Sequence, residues 1–272
     1  MCLTALERRP RRALPVDLGP AAAAGDPLGA PAGESAWVEP YPDLALGIAG
    51  VTGPAARLEQ REAVELAFVT ALQYLPGNQR AALILREVLG YSAGEVAELL
   101  ETTPAAVNSA LQHARASVAR RVPKHSQQAT LRRLGDQRLR ELVSAYTRAL
   151  EQGDMETMLG LLAEDVTWAM PPTPTWYQGH AAVRAFLAAG PFRTRWRHVP
   201  TYANGQLAIG CYGFDAESGS YRAWVLDVLT VRGDRIAAVT AFVDPGIFDR
   251  FDLPVTLSGR PGATGQLLRD FL

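Results

Sequence analysis

Asp227 has the surroundings least usual for a carboxylate in this chain. Read as a strand, Tyr221–Arg232 alternates, so Ala223, Val225, Asp227, Leu229 and Val231 fall on one side of it. A carboxylate on an apolar strand face loses hydration, its pKa rises, and it can then act as a general acid or base. His198 follows Trp196 in the strand-like run Arg195–Ala203 and could be the partner of Asp227 in an acid–base pair. The same pattern fits a structural aspartate satisfied by a tyrosine or a backbone donor, and a strand histidine that is exposed or simply packed. One carboxylate is not a catalytic constellation. His180, just after Gly179 at a helix start, reads as a surface residue.

A second set of residues suits recognition. Val107, Ala110, Leu111, Ala114 and Val118 recur at helical spacing, while Asn108, Ser109, Gln112 and Arg115 occupy much of the other side. Asn108 and Gln112 can donate and accept at a base edge, and Arg115 and Arg120 can neutralise phosphates. The elements that must hold this helix are legible upstream. Leu75-Pro76 opens a helix whose apolar face is Ala81, Leu83, Ile84, Leu85, Val88 and Leu89, and Gly90 ends it. Ser92, with Glu95 three residues on, caps a short helix that buries Val96, Ala97, Leu99 and Leu100. Thr102-Thr103-Pro104 breaks that helix and starts the next. Two helices across a tight turn, the second polar outside, form the helix-turn-helix pattern. A helical bundle with a solvated face has the same spacing.

The rest of the chain falls around these two sets. Residues 1–53 begin with a basic run around Pro10 and continue rich in Pro, Ala and Gly, as a linker does. Trp37 and Tyr41, set among prolines in that linker, are expected to anchor on a neighbouring domain. Residues 54–73 form an amphipathic helix that completes a helical domain over 54–122, and 123–137 reads as a second linker, within which Leu131-Arg132-Arg133-Leu134 could begin the next helix. Over 138–256 the character changes: helices first, then strand-like runs separated by Asn204-Gly205, Glu217-Ser218-Gly219 and Gly233-Asp234. That order indicates an α+β domain. Residues 257–272 are a tail.

Composition narrows the classes. The 272 residues have a formal net charge of -1, so nucleic-acid binding must come from local patches rather than a general cationic coat. Cys2 and Cys211 lie far apart and give no disulfide or metal framework, which fits a reducing cytoplasm. No metal or cofactor is expected. No apolar run reaches the ~18 residues of a membrane span, and no apolar stretch follows the basic start, so neither a membrane segment nor a signal peptide is expected.

The stretch LPGNQRAALILREVLGYSAGEVAELLETTPAAVNSALQHAR resembles the promoter-reading C-terminal domain of extracytoplasmic-function sigma factors. That resemblance implies a recognition helix starting near Thr103, with Pro104, Asn108, Ser109 and Gln112 facing the upstream promoter element. It implies promoter DNA and the RNA polymerase core as partners, in the cytoplasm. Many members carry Lys or Arg where this chain has Asn108 and Ala110, which implies weaker phosphate contact here. CLTALERRPRRALP looks like the last turn of the family's N-terminal, promoter-melting domain. The Trp-and-Pro linker is similar to that of members with a C-terminal extension, where it contacts the extension.

The run from AEDVTWAMPP through GHAAVRAFL to VLTVRGDRIAAVTAFVDPGIF resembles the SnoaL-like fold, a cone-shaped α+β domain with a curved antiparallel sheet. By that resemblance Trp168, Met170, Asp227, Val239, Ala241 and Val243 face the inside of the cone, with Trp176 and His198 as further wall residues. A small hydrophobic ligand is then a possible partner, and the domain would act as a regulatory or ligand-sensing module. The alternative is an enzyme, a cyclase, isomerase or hydrolase acting on a hydrophobic small molecule. Epoxide hydrolases of this fold need polar groups near Ala241 and Met170, and both are missing, which argues against that chemistry.

Overall fold

In the computed structural model, which describes residues 12–33, 37–46, 65–122 and 126–258, two bodies of secondary structure lie against each other. The expected N-terminal remnant up to Arg11, most of the helix over 54–73, and the tail beyond Ser258 fall outside the described residues.

Among the described residues the first body has four helices: α1 (Leu66–Gln73), α2 (Gly77–Leu83), α3 (Ala93–Leu99) and α4 (Pro104–Ala119). Helix α2 runs on into a π turn, Ile84–Val88, and the chain leaves it through Gly90 at φ 75. The capping box predicted at Ser92 forms. Its hydroxyl accepts from the Glu95 N–H at 3.2 Å, and the Glu95 carboxylate accepts from the Ser92 N–H at 2.7 Å. Leu75, Leu83, Leu111 and Ala114 make one small core, and Ala82, Val96, Ala97 and Val107 another. Leu89 and Leu99, expected on buried faces, are exposed. The π turn adds a residue and rotates Leu89 off the apolar stripe. In α3 the buried arc is centred on Val96 and Ala97, and Leu99 lies beyond its edge.

The second body is the α+β domain. Helix α5 (Gln127–Gln152) is broken in direction by Gly135 (φ 72, ψ 159), and α6 (Met155–Leu161) follows. Next come β1 (Leu162–Ala169), β2 (Trp176–Gln178) and α7 (Gly179–Ala189). The strands β3 (Trp196–Ala203), β4 (Gln206–Asp215), β5 (Ser220–Arg232), β6 (Arg235–Phe242) and β7 (Thr256–Leu257) complete it. The expected linker 123–137 is therefore helical from Gln127 onward. Its polar composition misled because the Gln127 and Gln128 side chains are buried against backbone groups rather than solvated.

The seven strands form one sheet in the order β2-β1-β6-β5-β4-β3, with β7 on β5. It is mixed rather than wholly antiparallel, because the chain enters β1 and β6 from the same end and those two pair in parallel. One face carries Trp168, Ile209, Cys211, Leu229 and Val239 under α5, α6 and α7. The other carries Ala208, Tyr212, Leu226 and Phe242 under Phe248, Phe251, Val38 and Leu66. Between Cys211 and Tyr212 the register with β5 shifts, leaving Trp224 as an extra residue. Strand alternation breaks there, so Ala223 joins the second face instead of the face of Val225 and Asp227. Trp224 lies over Gly213, where a Cβ would come within 2.6 Å of its ring.

Buried polar contacts join the two bodies. The Leu66 N–H donates to Gln206 Oε1 at 3.0 Å, and the Gln128 N–H donates to Glu65 Oε1 at 3.1 Å. Gln128 Nε2 also donates to the Gly205 carbonyl. Since Leu66 packs in the sheet's second core, the first helix of one body is also part of the wall of the other.

Candidate functional site

Helix α4, the candidate recognition helix, is assembled from its cap outward. Thr103 Oγ1 accepts from the Ala106 N–H at 3.2 Å, and Pro104 takes the first helical position, where no N–H is needed. The turn before it passes through Glu101 in the left-handed region at φ 51. Val107, Leu111 and Ala114 face inward. Thr103, Pro104, Asn108, Ser109, Gln112 and Arg115 are all exposed. Arg115 is not a free cation, because its Nε is 2.5 Å from Glu87 Oε1. A phosphate must compete with that carboxylate, a cost invisible in the spacing of either residue. Arg121, just past the helix, lies 4.8 Å from the Tyr74 ring.

The inward face of the sheet, with α5 and α7, encloses a cavity of about 240 Å³. Leu150, Trp168, Met170, Phe186, Trp196, Trp224, Val225, Ala241 and Val243 make most of its wall. Its polar members are His198, Cys211, Asp227 and Thr194. Asp227, His198, Trp168 and Met170 thus meet at one cavity. Trp176 does not line it. That ring is buried elsewhere, with its indole N–H donating to the Gly19 carbonyl at 3.0 Å.

Asp227 is 3 % exposed, and both its donors go to one oxygen. Tyr146 Oη–H donates to Oδ2 at 2.9 Å and the Cys211 thiol to the same atom at 3.4 Å. Burial pushes the Asp227 carboxyl above its ordinary range, against the opposing pull of these hydrogen bonds and of His198. Burial likewise pushes the Tyr146 hydroxyl and the Cys211 thiol well up, with Asp227 adding to both. His198 is fully buried; its Nδ1 lies 3.0 Å from Glu151 Oε1, and Nε2 has no hydrogen-bond partner among the described residues. The sequence does not single out Tyr146 or Glu151 as partners of these groups. Tyr146 reads as one more apolar position of the α5 stripe, and Glu151 as a solvated residue near the helix end.

The raised Asp227 carboxyl has a pH signature. Folding favours its neutral form, so its contribution is full below the unfolded-chain value of about 3.9 and is lost as pH rises through the higher folded value. Asp227→Asn keeps an acceptor for Tyr146 and carries no charge. Its melting temperature should match wild type near pH 4 and exceed it by an amount that grows toward pH 7.5. An advantage that does not grow between those pH values would contradict the assignment.

A strap from the linker crosses the cavity's edge. The Ala22 N–H donates to the Trp176 carbonyl at 2.8 Å, and Tyr177 Oη–H to the Asp26 carbonyl at 3.0 Å. The Gly29 N–H donates to Thr175 Oγ1 at 2.7 Å, and Leu28 between them enters the cavity wall. Further along, Trp37 is buried, with its indole N–H directed at the Ala32 carbonyl at 3.4 Å. Tyr41 behaves otherwise: its ring is 48 % exposed, and its backbone makes the contact, exchanging hydrogen bonds with Asn204.

Comparison with known proteins covers both bodies. Residues 65–118 match the sigma-70 region 4 family, and residues 143–239 match the SnoaL-like domain family. The chain is 37 % identical over 264 residues to the ECF RNA polymerase sigma factor SigG of Mycobacterium tuberculosis, across 94 % of this chain and 68 % of that protein. It is 27 % identical over 210 residues to the ECF RNA polymerase sigma factor SigJ of the same bacterium, across 72 % of this chain and 65 % of that protein. The crystal structure of M. tuberculosis SigJ superposes with a TM-score of 0.51 at 23 % identity, across 93 % of this chain and 79 % of that one, and so shares the fold.

Proposed function

The chain belongs to the extracytoplasmic-function RNA polymerase sigma factors, and we propose that α4 reads the upstream promoter element while the chain is bound to the polymerase core in the cytoplasm. The observation that carries this reading is the face of α4. Asn108, Ser109 and Gln112 stand exposed on a helix whose opposite side is locked by Val107, Leu111 and Ala114. A helix so held can enter a major groove without repacking. Exposed Leu89, Tyr91 and Leu99 add an apolar surface on the same body that suits a protein partner.

The α+β domain serves this function as a regulatory, ligand-sensing module. The support is mechanical. The strap that supplies Leu28 to the cavity wall belongs to the linker whose Leu14 and Val38 share one core with Leu66 of α1. A ligand that displaces Leu28 therefore acts on a segment that also touches the promoter-reading body.

Gln112→Ala and Asn108→Ala should each weaken binding to a cognate promoter fragment by about 5- to 150-fold, the range of ~1–3 kcal/mol for a base contact, and relax the preference at one base pair. Arg115→Ala should weaken binding evenly across sequences and lower the salt slope by about 1. Fluorescence anisotropy against the cognate fragment and a scrambled one measures both. Equal loss on the two fragments for Gln112→Ala and Asn108→Ala would remove these residues from base reading.

A further inference from the structure

We propose that the cavity binds an uncharged one- or two-ring aromatic molecule carrying a hydroxyl group, with the hydroxyl lodged between Asp227 and His198. The proposal rests on the ligand-sensing reading above and names the ligand that reading leaves open.

Size comes first. At about 240 Å³ the cavity falls just below the ~300 Å³ at which pockets for drug-sized ligands begin, so the ligand is small. Shape and wall chemistry come next. Trp168, Phe186, Trp196 and Trp224 present ring faces, and the Trp196 and Trp224 centroids are 5.3 Å apart. Aromatic walls favour a flat, apolar occupant that can stack or meet them edge to face.

Charge is excluded by what the wall contains. No Lys or Arg among the described residues lines the cavity, so a carboxylate or phosphate would be buried without a counter-ion from them. A cationic ligand would need Asp227 ionised, and burial favours its neutral form. The occupant is therefore neutral.

The polar end selects the functional group. Tyr146 and Cys211 both donate to Asp227 Oδ2, and no donor among the described residues reaches Oδ1. Glu151 lies at hydrogen-bond distance from His198 Nδ1, and Nε2, enclosed in the wall, has no partner among the described residues. An unpartnered buried nitrogen costs stability that a ligand group can recover. A ligand hydroxyl both donates and accepts, so it can satisfy Nε2 and Asp227 Oδ1 whichever of the two carries the proton, whereas a ketone or ether can only accept.

Isothermal titration calorimetry on the full chain, with 2-naphthol, naphthalene, 2-naphthoate and a naphthyl trimethylammonium salt, tests this. We expect 2-naphthol to bind at least tenfold more tightly than naphthalene, and the two charged probes to bind more weakly than either. His198→Phe should cut the 2-naphthol preference below threefold while naphthalene affinity holds, which shows that the cavity still folds. Tighter binding of a charged probe overturns the proposal, as does equal binding of 2-naphthol and naphthalene to the wild type. Failure of every probe to bind also overturns it. Promoter affinity with and without 2-naphthol reads the sensing role separately. If 2-naphthol binds as expected and leaves promoter affinity unchanged, the binding site stands and the regulatory role falls.

Discussion

Gln127→Ala should lower stability by roughly 2–6 kcal/mol, counting ~1–3 kcal/mol for each of two buried backbone groups left unpaired. β4 pairs with β5 only as far as Val228, while Val231 keeps its partner Ile236 in β6. Gln127 supplies the hydrogen bonds of the Val231 backbone that no strand takes up. Its Nε2 donates to the Val231 carbonyl at 2.9 Å, and its Oε1 accepts from the Val231 N–H at 2.7 Å. Gln127 is 5 % exposed and Val231 1 %, so water has little access to take over either bond. Gln127 also begins the helix that connects the helical body to the sheet, so its loss strikes the joint as well as the strand. Urea denaturation, followed by far-ultraviolet circular dichroism, measures the change. A loss below about 0.5 kcal/mol, the scatter of ordinary surface substitutions, would show that the Val231 groups find other partners.

Leu111→Ala should cost about 2–5 kcal/mol and abolish promoter binding. Leu111 is 5 % exposed in a core whose other buried members are Leu75, Leu83 and Ala114. A body with so small a core has little stability in reserve. The loss should therefore appear as faster amide exchange along α4, with the β4 and β5 amides still protected. Leu111→Met conserves volume and should retain both stability within about 1.5 kcal/mol and promoter affinity. This pair of variants separates loss of the helix from loss of a contact made by Gln112, next to it in sequence and pointing the other way. Wild-type promoter affinity in Leu111→Ala would mean that α4 does not depend on this core.

Much of the architecture was legible because local signals and packing agree. The Ser92–Glu95 box, Thr103-Pro104 and Gly90 each mark an end that forms as read. The hairpins at Asn204-Gly205 and Gly233-Asp234 turn where their residues allow positive φ. The failures share a physical origin in long-range partners. The stretch after residue 126 looked like a linker because its glutamines are polar, yet their partners are the Val231 and Gly205 backbone groups, far away in sequence. Trp176 looked like a cavity residue until the strap took its indole at Gly19. Ala223 was misassigned because alternation cannot register a bulge at Trp224.

The candidate sites divide the same way. Asn108, Ser109 and Gln112 were found by helix periodicity, which a single helix preserves. Asp227 and His198 were found by residue type and strand alternation, but their chemistry depends on Tyr146 and Glu151 from a separate helix. No pattern within β5 or β3 announces those partners.

Reading of promoter DNA by α4 is tested most directly by a selection. The full chain, bound to RNA polymerase core, is used to retain fragments from a pool of random duplexes, and the retained fragments are sequenced. We predict one enriched short motif, with Gln112→Ala and Asn108→Ala each relaxing it at a different base pair. The absence of an enriched motif, or an identical motif from both variants and the wild type, would contradict the assignment of α4 as the promoter reader.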